Sequence, residues 1–404
     1  MDMLQYRCLT QALLFCDFGL SLILPPDRLC PPVPNRLNYI LWIEDIQKAC
    51  AKVRPIRSVI RGVDIGTGAS AIYPLLGCRT NPTWKFWATE IDQKSAECAL
   101  KNIQNNNLSD RIKIVQVAPD DKIFPTAIFE NEQGIDFTMC NPPFYGSREE
   151  VLNSAEAKEL GPSGACTGAE TEMITTGGEV AFVKRMLEES LQLRDHCQWY
   201  TSMLGKMSSL TYIVQHLKFA KIENYAVTEF IQGKTRRWAV AWSYGDVHLP
   251  DSLARIPNRT LQNIMPPKNT LRQPYTQFQT SQDAEQRLLK VLMSIDGVSV
   301  THEAEDRGNI LVKAIGDTWS RAARRRKLKA VDSATDYGPG QVTLVSRVQC
   351  TQNTSATRGG SESRAVTIEF DWVQGRDRGL FESFVAHVSR KLGTLAMDPD
   401  VDMR

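Results

Sequence analysis

The sequence predicts an α/β protein: a mostly parallel sheet wound with helices through its first 245 residues, then a smaller α+β unit. Three observations carry that expectation. Between residues 59 and 145, short apolar runs alternate with amphipathic stretches of helical period, the pattern of βαβ units. A Pro-rich, weakly periodic stretch at 246–282 then separates this region from a second series of strands and helices. The 404 residues are also more than one core ordinarily organises, at roughly 150 residues per domain.

Taken in order, residues 1–58 are expected to be helical. The apolar stretch Leu9–Leu24 precedes Pro25, Pro26, Pro31, Pro32 and Pro34, after which Leu37, Ile40, Leu41, Ile43 and Ile46 recur at helical spacing. Gln11 and Asp17 interrupt Leu9–Leu24, which is shorter than the roughly 20 apolar residues that span a bilayer. With Pro25-Pro26-Asp27 behind it, the stretch is a poor secretory signal too. Strands follow at Val59–Ile65, Trp84–Ile91, Ile112–Val117 and Phe137–Cys140. Between them lie a helix beginning in Ala69–Leu76 and a helix over Ser95–Asn107 with Ala96, Ala99, Leu100 and Ile103 on one face. Residues 146–178, rich in Gly, Ser, Thr and Glu, are too long for an ordinary connection and read as a functional loop. Elements resume at Glu179–Leu193, Trp199–Leu204, Tyr225–Phe230 and Trp238–Tyr244. The expected limits are an N-terminal helical segment (1–58), a main domain (59–245), a linker (246–282), a C-terminal α+β domain (283–394) and a tail (395–404). Within the C-terminal domain the pattern gives helices at Ala284–Ser294, Ala314–Lys329 and Leu380–Leu392. Its strands fall at Val298–His302, Asn309–Val312, Gln341–Cys350 and Ala365–Val373.

Composition narrows the function. The 48 Lys and Arg against 46 Asp and Glu leave +2, which excludes a polybasic wrapper of nucleic acid but not local basic patches. A chain 42% hydrophobic and 23% charged has the means for a large core, so wholesale disorder is excluded. Ten scattered cysteines without Cys-x-x-Cys and five dispersed histidines suggest no metal cluster and no disulfide framework, hence a reducing compartment.

Two constellations carry chemistry. Val63-Asp64-Ile65-Gly66-Thr67-Gly68 ends a strand and opens a helix, where glycines let the backbone approach a ligand and free N–H groups face it. Ala71 stands where a dinucleotide fingerprint would have its third glycine, and on its own such a turn also serves merely to join strand to helix. Glu90, at the end of the next strand, can accept hydrogen bonds from both hydroxyls of a ribose. The second constellation is Met139-Cys140-Asn141-Pro142-Pro143-Phe144. Its prolines remove two donors and stiffen the turn, Asn141 adds an acceptor, and Phe144 offers a flat face. Two acceptors and a stacking plate suit a planar ring bearing an amino group. An amine attacking a methyl sulfonium needs alignment more than a tuned base, with reacting atoms about 3–3.5 Å apart.

Asn141-Pro142-Pro143-Phe144 is similar to the motif of amino-group methyltransferases. With Asp17–Leu20, Arg36–Ile40, Asp64–Ser70, Ile72–Gly77, Ala88–Glu90, Asn106–Asp110, Gly177–Glu179, Phe182–Arg185, Met203–Lys206 and Arg237–Ala239, the chain resembles the methyltransferase-like 16 family of RNA adenosine methyltransferases. The likeness covers residues from about 12 to 245. It implies a Rossmann-like class I methyltransferase fold with a seven-stranded, mostly parallel sheet, and an enzyme that uses S-adenosyl-L-methionine. The implied acceptor is the exocyclic amine of an adenosine in structured RNA, U6 small nuclear RNA first, in the nucleus with the cytoplasm second. Carried over by position, cofactor contacts fall on Arg36, Gly66, Glu90, Asp121 and Asn141, and the glycine turn adds Asp64 and Gly68. Arg36 would pair with the methionine carboxylate; at Asp121 the family has threonine. Asn141, Pro142, Pro143 and Phe144 would hold the target base.

RNA grip is expected from the loop 146–178 and from Lys184, Arg185, Lys206, Lys234, Arg236 and Arg237, where Lys234-Thr235-Arg236-Arg237-Trp238 sets cations beside an aromatic. In the C-terminal unit Arg324, Arg325 and Arg326 lie on a basic helix that serves either RNA contact or nuclear import. Family members carry a basic segment ahead of the first helix, and this chain starts almost at that helix. Either the sequence is shortened there or RNA binding rests on other parts. Ribosomal RNA adenine, DNA adenine and a protein glutamine amide remain alternative acceptors, and a non-enzymatic RNA-binding scaffold the alternative class. Glutamine-modifying relatives usually carry Tyr in place of Phe144. Oligomeric state leaves no signature.

Overall fold

The computed structural model describes residues 3–54, 57–131, 134–151, 169–233, 235–302, 308–321, 323, 325, 341–356 and 362–395. The chain divides into two compact units, residues 1–245 with 252–266, and residues 246–251 with 267–404.

The first unit runs α1 (Met3–Phe18), α2 (Val33–Ala51), β1 (Ile60–Ile65), α3 (Ile72–Thr80), β2 (Trp84–Glu90), α4 (Gln93–Asn105), β3 (Ile112–Gln116), α5 (Thr126–Asn131) and β4 (Ile135–Cys140). It continues with α6 (Gly178–Leu193), β5 (Cys197–Leu204), α7 (Met207–Phe219), β6 (Tyr225–Gln232) and β7 (Thr235–Trp242). Its seven-stranded sheet has the order β3-β2-β1-β4-β5-β7-β6. β1 to β5 pair in parallel and β7 is antiparallel to both neighbours. Strand order reverses between β1 and β4, so the crevice outside their carboxyl ends is where a ligand is expected.

Local sequence explains these elements. β4 is buried at every residue, as a central strand covered on both faces must be. Asp92 caps α4 by accepting the Ser95 N–H at 2.8 Å, and Ala96, Ala99 and Ile103 pack inward. Leu100, expected on that face, is instead exposed, as is Leu41 of α2. Pro34 sits in the first turn of α2, where a missing N–H costs nothing. Neither α5 nor α7 is among the elements expected above, yet α7 buries Leu210, Ile213, Val214 and Leu217 at helical spacing.

The second unit holds β8 (Thr270–Tyr275), α8 (Ser281–Met293), β9 (Val298–His302), β10 (Asn309–Ala314), β11 (Leu344–Ala356), β12 (Glu362–Gly375) and α9 (Arg378–Leu395). They form an antiparallel sheet in the order β8-β12-β11-β10-β9, with Leu288 and Leu292 of α8 and Phe381, Phe384 and Val388 of α9 in its core.

Two expectations need correction here. Residues 246–282 are not a plain linker: Val247 bridges to Gln374, Ile256, Ile264 and Met265 are buried in the first unit, and β8 pairs with β12. Pro274 disguises β8, but an edge strand tolerates a residue that cannot donate. The helix expected over Ala314–Lys329 does not begin at Ala314, which closes β10 opposite Leu344. Asp317 accepts the Ser320 N–H at 2.9 Å and caps a later start, with Arg321, Ala323 and Arg325 helical. Arg324, Arg326 and the rest of that helix lie outside the described residues, as do Lys234, the loop centre 152–168 and the tail beyond 395.

Candidate active site

A cavity of about 760 Å³ opens at the carboxyl ends of β1, β2 and β4. The glycine turn forms its floor. Gly66 and Gly68 have φ of +69° and +64°, and a Cβ built on Gly66 meets nothing within 4 Å, so the backbone there is open to a ligand. Ala71, in the place of the absent third glycine, nevertheless adopts a left-handed φ of +46° and starts α3. Below the turn Asp64 is fully buried, and neither carboxylate oxygen has a hydrogen-bond partner. Burial pushes its carboxyl up to about 7.

Arg36 reaches the cavity from the first turns of α2. Its guanidinium is buried, donates to the Tyr73 hydroxyl at 2.9 Å and forms no ion pair with any described residue. Tyr73 donates in turn to Met203 Sδ at 3.2 Å. A buried guanidinium held by neutral groups, the Tyr73 phenol and at 3.9 Å the Met203 sulfur, is ready for a carboxylate. Glu90 closes the other side and accepts the N–H groups of Gly68 at 2.8 Å and of Ile91 and Asp92 at 2.9 Å each. Burial raises its pKa, and the nearby Glu172 adds to the rise. Asp121 lines the cavity but turns its carboxylate onto the Ala118 N–H at 2.7 Å.

Asn141 and Pro143 line the same cavity, with Pro142 buried beside them. Asn141 Oδ1 is buried and unpartnered. The edge is braced from behind: the Cys140 N–H donates at 3.4 Å to the Tyr39 hydroxyl, which lies 2.5 Å from Thr201 Oγ1. Phe144 packs on Gly205, where an added Cβ would lie 2.9 Å from its ring, and the Arg237 guanidinium stands 5.6 Å from the ring centre. Glu179, buried, fixes Gly205 by accepting its N–H at 2.6 Å and that of Lys206 at 3.1 Å. The loop's described ends are tied by Tyr145 N–H to Met173 O and Thr175 N–H to Tyr145 O, both 3.0 Å.

The structure therefore brings Arg36, Gly66, Gly68, Glu90, Asp121, Asn141 and Pro143 to one cavity, with Asp64 beneath it and Phe144 beside it. Of the basic residues, Arg185 lines the cavity and donates to the Asp121 carbonyl, and Arg237 reaches Phe144. Lys206 pairs with Glu150 at 2.7 Å. Lys184 pairs with Glu188 and Arg236 with Glu229, away from the cavity lining. Arg325 is exposed on the second unit. Sequence reasoning assigned no role to Tyr39, Tyr73, Glu172, Glu179 or Gly205. The Gly177-Gly178 doublet, both with positive φ, was the signal for the Glu179 turn. Among the described residues no group of His, Cys, Asp and Glu could hold a metal, and no helix is long and apolar enough to cross a membrane.

A family model described as RNA methyltransferase matches residues 1–246. The chicken RNA N(6)-adenosine-methyltransferase METTL16 is 47% identical over 248 residues, 60% of this chain and 44% of that protein. The U6 small nuclear RNA (adenine-(43)-N(6))-methyltransferase of Schizosaccharomyces pombe is 36% identical over 392 residues, 96% of this chain and 92% of that one. The match thus spans less than half of the chicken protein but nearly all of the fission yeast one. Among solved structures, the hMettl16 catalytic domain in complex with MAT2A 3'UTR hairpin 6 is 44% identical, with 60% of this chain and 81% of that chain covered and a TM-score of 0.53.

Proposed function

The chain belongs to the RNA methyltransferase family, and from that premise we propose that it transfers a methyl group from S-adenosyl-L-methionine to the exocyclic amine of an adenosine in structured RNA. U6 small nuclear RNA is the first candidate, supported by the fission yeast relative that matches almost end to end, and the nucleus is the compartment proposed with it. The observation that carries the reading is Asn141: the residue lines the same cavity as Arg36 and Glu90, and its Oδ1 is buried without a hydrogen-bond partner. An acceptor left bare in a folded core costs free energy unless a ligand donor meets it.

The residues present fit the donor. Arg36 would take its carboxylate, Glu90 its ribose and the Asp121 turn its adenine. When bound, S-adenosylmethionine supplies an electrophilic methyl on a sulfonium. The acceptor side belongs to the protein. Asn141 Oδ1 and a carbonyl of the Pro-Pro turn accept the two N–H bonds of the adenosine amine, which turns its lone pair toward the donor. Phe144 sets the ring plane. Catalysis is alignment, and no side chain need act as a base before the methyl moves. The adenosine must leave its helix or lie in a loop to reach this edge. Arg185 on the cavity wall, Lys206 beside Gly205 and Arg237 beside Phe144 would hold phosphates, with Lys184, Lys234, Arg236 and Arg324–Arg326 as further proposed contacts.

Incubation of the purified chain with radiolabelled donor and total RNA tests the reading. Label recovered as N6-methyladenosine in U6 RNA is the expected result. Label on another base, or on a protein glutamine, would overturn it.

A further inference from the structure

Glu172 is a cavity-lining carboxylate that the family resemblance leaves without a role, and unlike Asp120 and Glu170 it stands against the glycine turn. It lies on the helical turn Glu170–Met173, where the functional loop returns to the core. Its Oε2 accepts the Ala169 N–H at 2.8 Å and the Leu29 N–H at 3.1 Å. Its Oε1 stands 3.4 Å from the position of a Cβ on Gly68, on the cavity side of the glycine turn. Glu172 is close enough to Glu90 to raise that carboxylate's cost of ionisation.

Lone-pair counting shows what this adds. A carboxylate offers about four acceptor sites, two on each oxygen. Glu90 Oε1 already serves Ile91 and Asp92, and Oε2 serves Gly68, which leaves one site. A ribose brings two hydroxyl donors. Glu172 has both sites of Oε1 open beside the same glycine. Resting on the cofactor reading above, we propose that Glu172 is a further cofactor-binding residue that accepts a hydrogen bond from the ribose Glu90 cannot accommodate alone. The ribose would then bridge the sheet motif and the returning loop. Because Glu172 also holds Leu29, a cavity-wall residue from the N-terminal segment, the same contact would tie three parts of the chain to the ligand.

The test is a cycle between protein and ligand, read by calorimetry on the full chain with S-adenosylhomocysteine and its 2′,3′-dideoxy analogue. In the unaltered protein, loss of both hydroxyls should weaken binding at least 50-fold. In Glu172→Ala that loss should shrink at least fivefold, because one partner is already gone. Glu172→Gln keeps the shape and one acceptor for the backbone donors, and should shrink it at least twofold. A purely structural Glu172 would lower the affinity of both ligands alike and leave their ratio unchanged, and that result would overturn the inference. If the unaltered protein bound neither ligand, the cofactor reading itself would fail instead.

Discussion

Asp64 shows how much a single residue commits this site. Burial beneath the cavity, with Glu90 adding to it and Thr67 and Arg36 opposing it, pushes this carboxyl up to about 7 against roughly 3.9 in the unfolded chain. The native state therefore keeps a proton that the unfolded state has released between about pH 4 and pH 7. With more protons bound when folded, stability falls as pH rises through that window and levels off above it. Glu90, Glu172 and Asp136 are shifted in the same direction, again mainly by burial. Asp64→Asn should consequently flatten the decline in Tm between about pH 5 and pH 8 without removing it. Parallel melting profiles for mutant and parent would show that Asp64 carries no such cost.

At the scale of elements, the acceptor edge is positioned by a turn rather than by its own motif. Gly205 follows β5 with both Phe144 and Glu179 crowding the place of a Cβ, at 2.9 Å and 3.2 Å. Gly205→Ala should displace the Phe144 ring at an overpacking cost of about 1–3 kcal/mol. Methyl transfer to RNA should fall at least tenfold while S-adenosylhomocysteine affinity stays within about twofold, since only the acceptor half has moved. Equal turnover in the two proteins would mean that Phe144 does not set the base plane. Of this, only the Gly177-Gly178 doublet ahead of Glu179 was legible from residue types. Asn141–Phe144 could be read because its chemistry is local, whereas Glu179 and Gly205 meet Phe144 only through tertiary packing. Tyr39 and Tyr73, likewise, pass for ordinary core aromatics until the fold places their hydroxyls behind Cys140 and against Arg36.

For the molecule as a whole, the sequence was most informative where period and burial agree. The βαβ series stood out because β1, β2 and β4 are short apolar runs between glycine and polar punctuation, and the sheet order 3-2-1-4-5-7-6 follows from the implied fold. The prolines of 246–282 hid β8, and the cations after Arg321 suggested a helix that starts too early, because Lys313 and Ala314 belong to β10. Both misreadings came from letting one residue type outweigh strand pairing, which no single segment displays. The cavity itself assembles from α2, three strand ends and the returning loop, so its unity is a property of the tertiary fold. That unity is the central claim: donor and acceptor edges meet at one place, and Asn141 holds the amine there. Single-turnover methylation by Asn141→Ala tests it most directly, measured alongside S-adenosylhomocysteine and RNA affinity. The account predicts a rate at least 100-fold lower with both affinities within about threefold of the parent, the signature of lost alignment. An unchanged rate would contradict it.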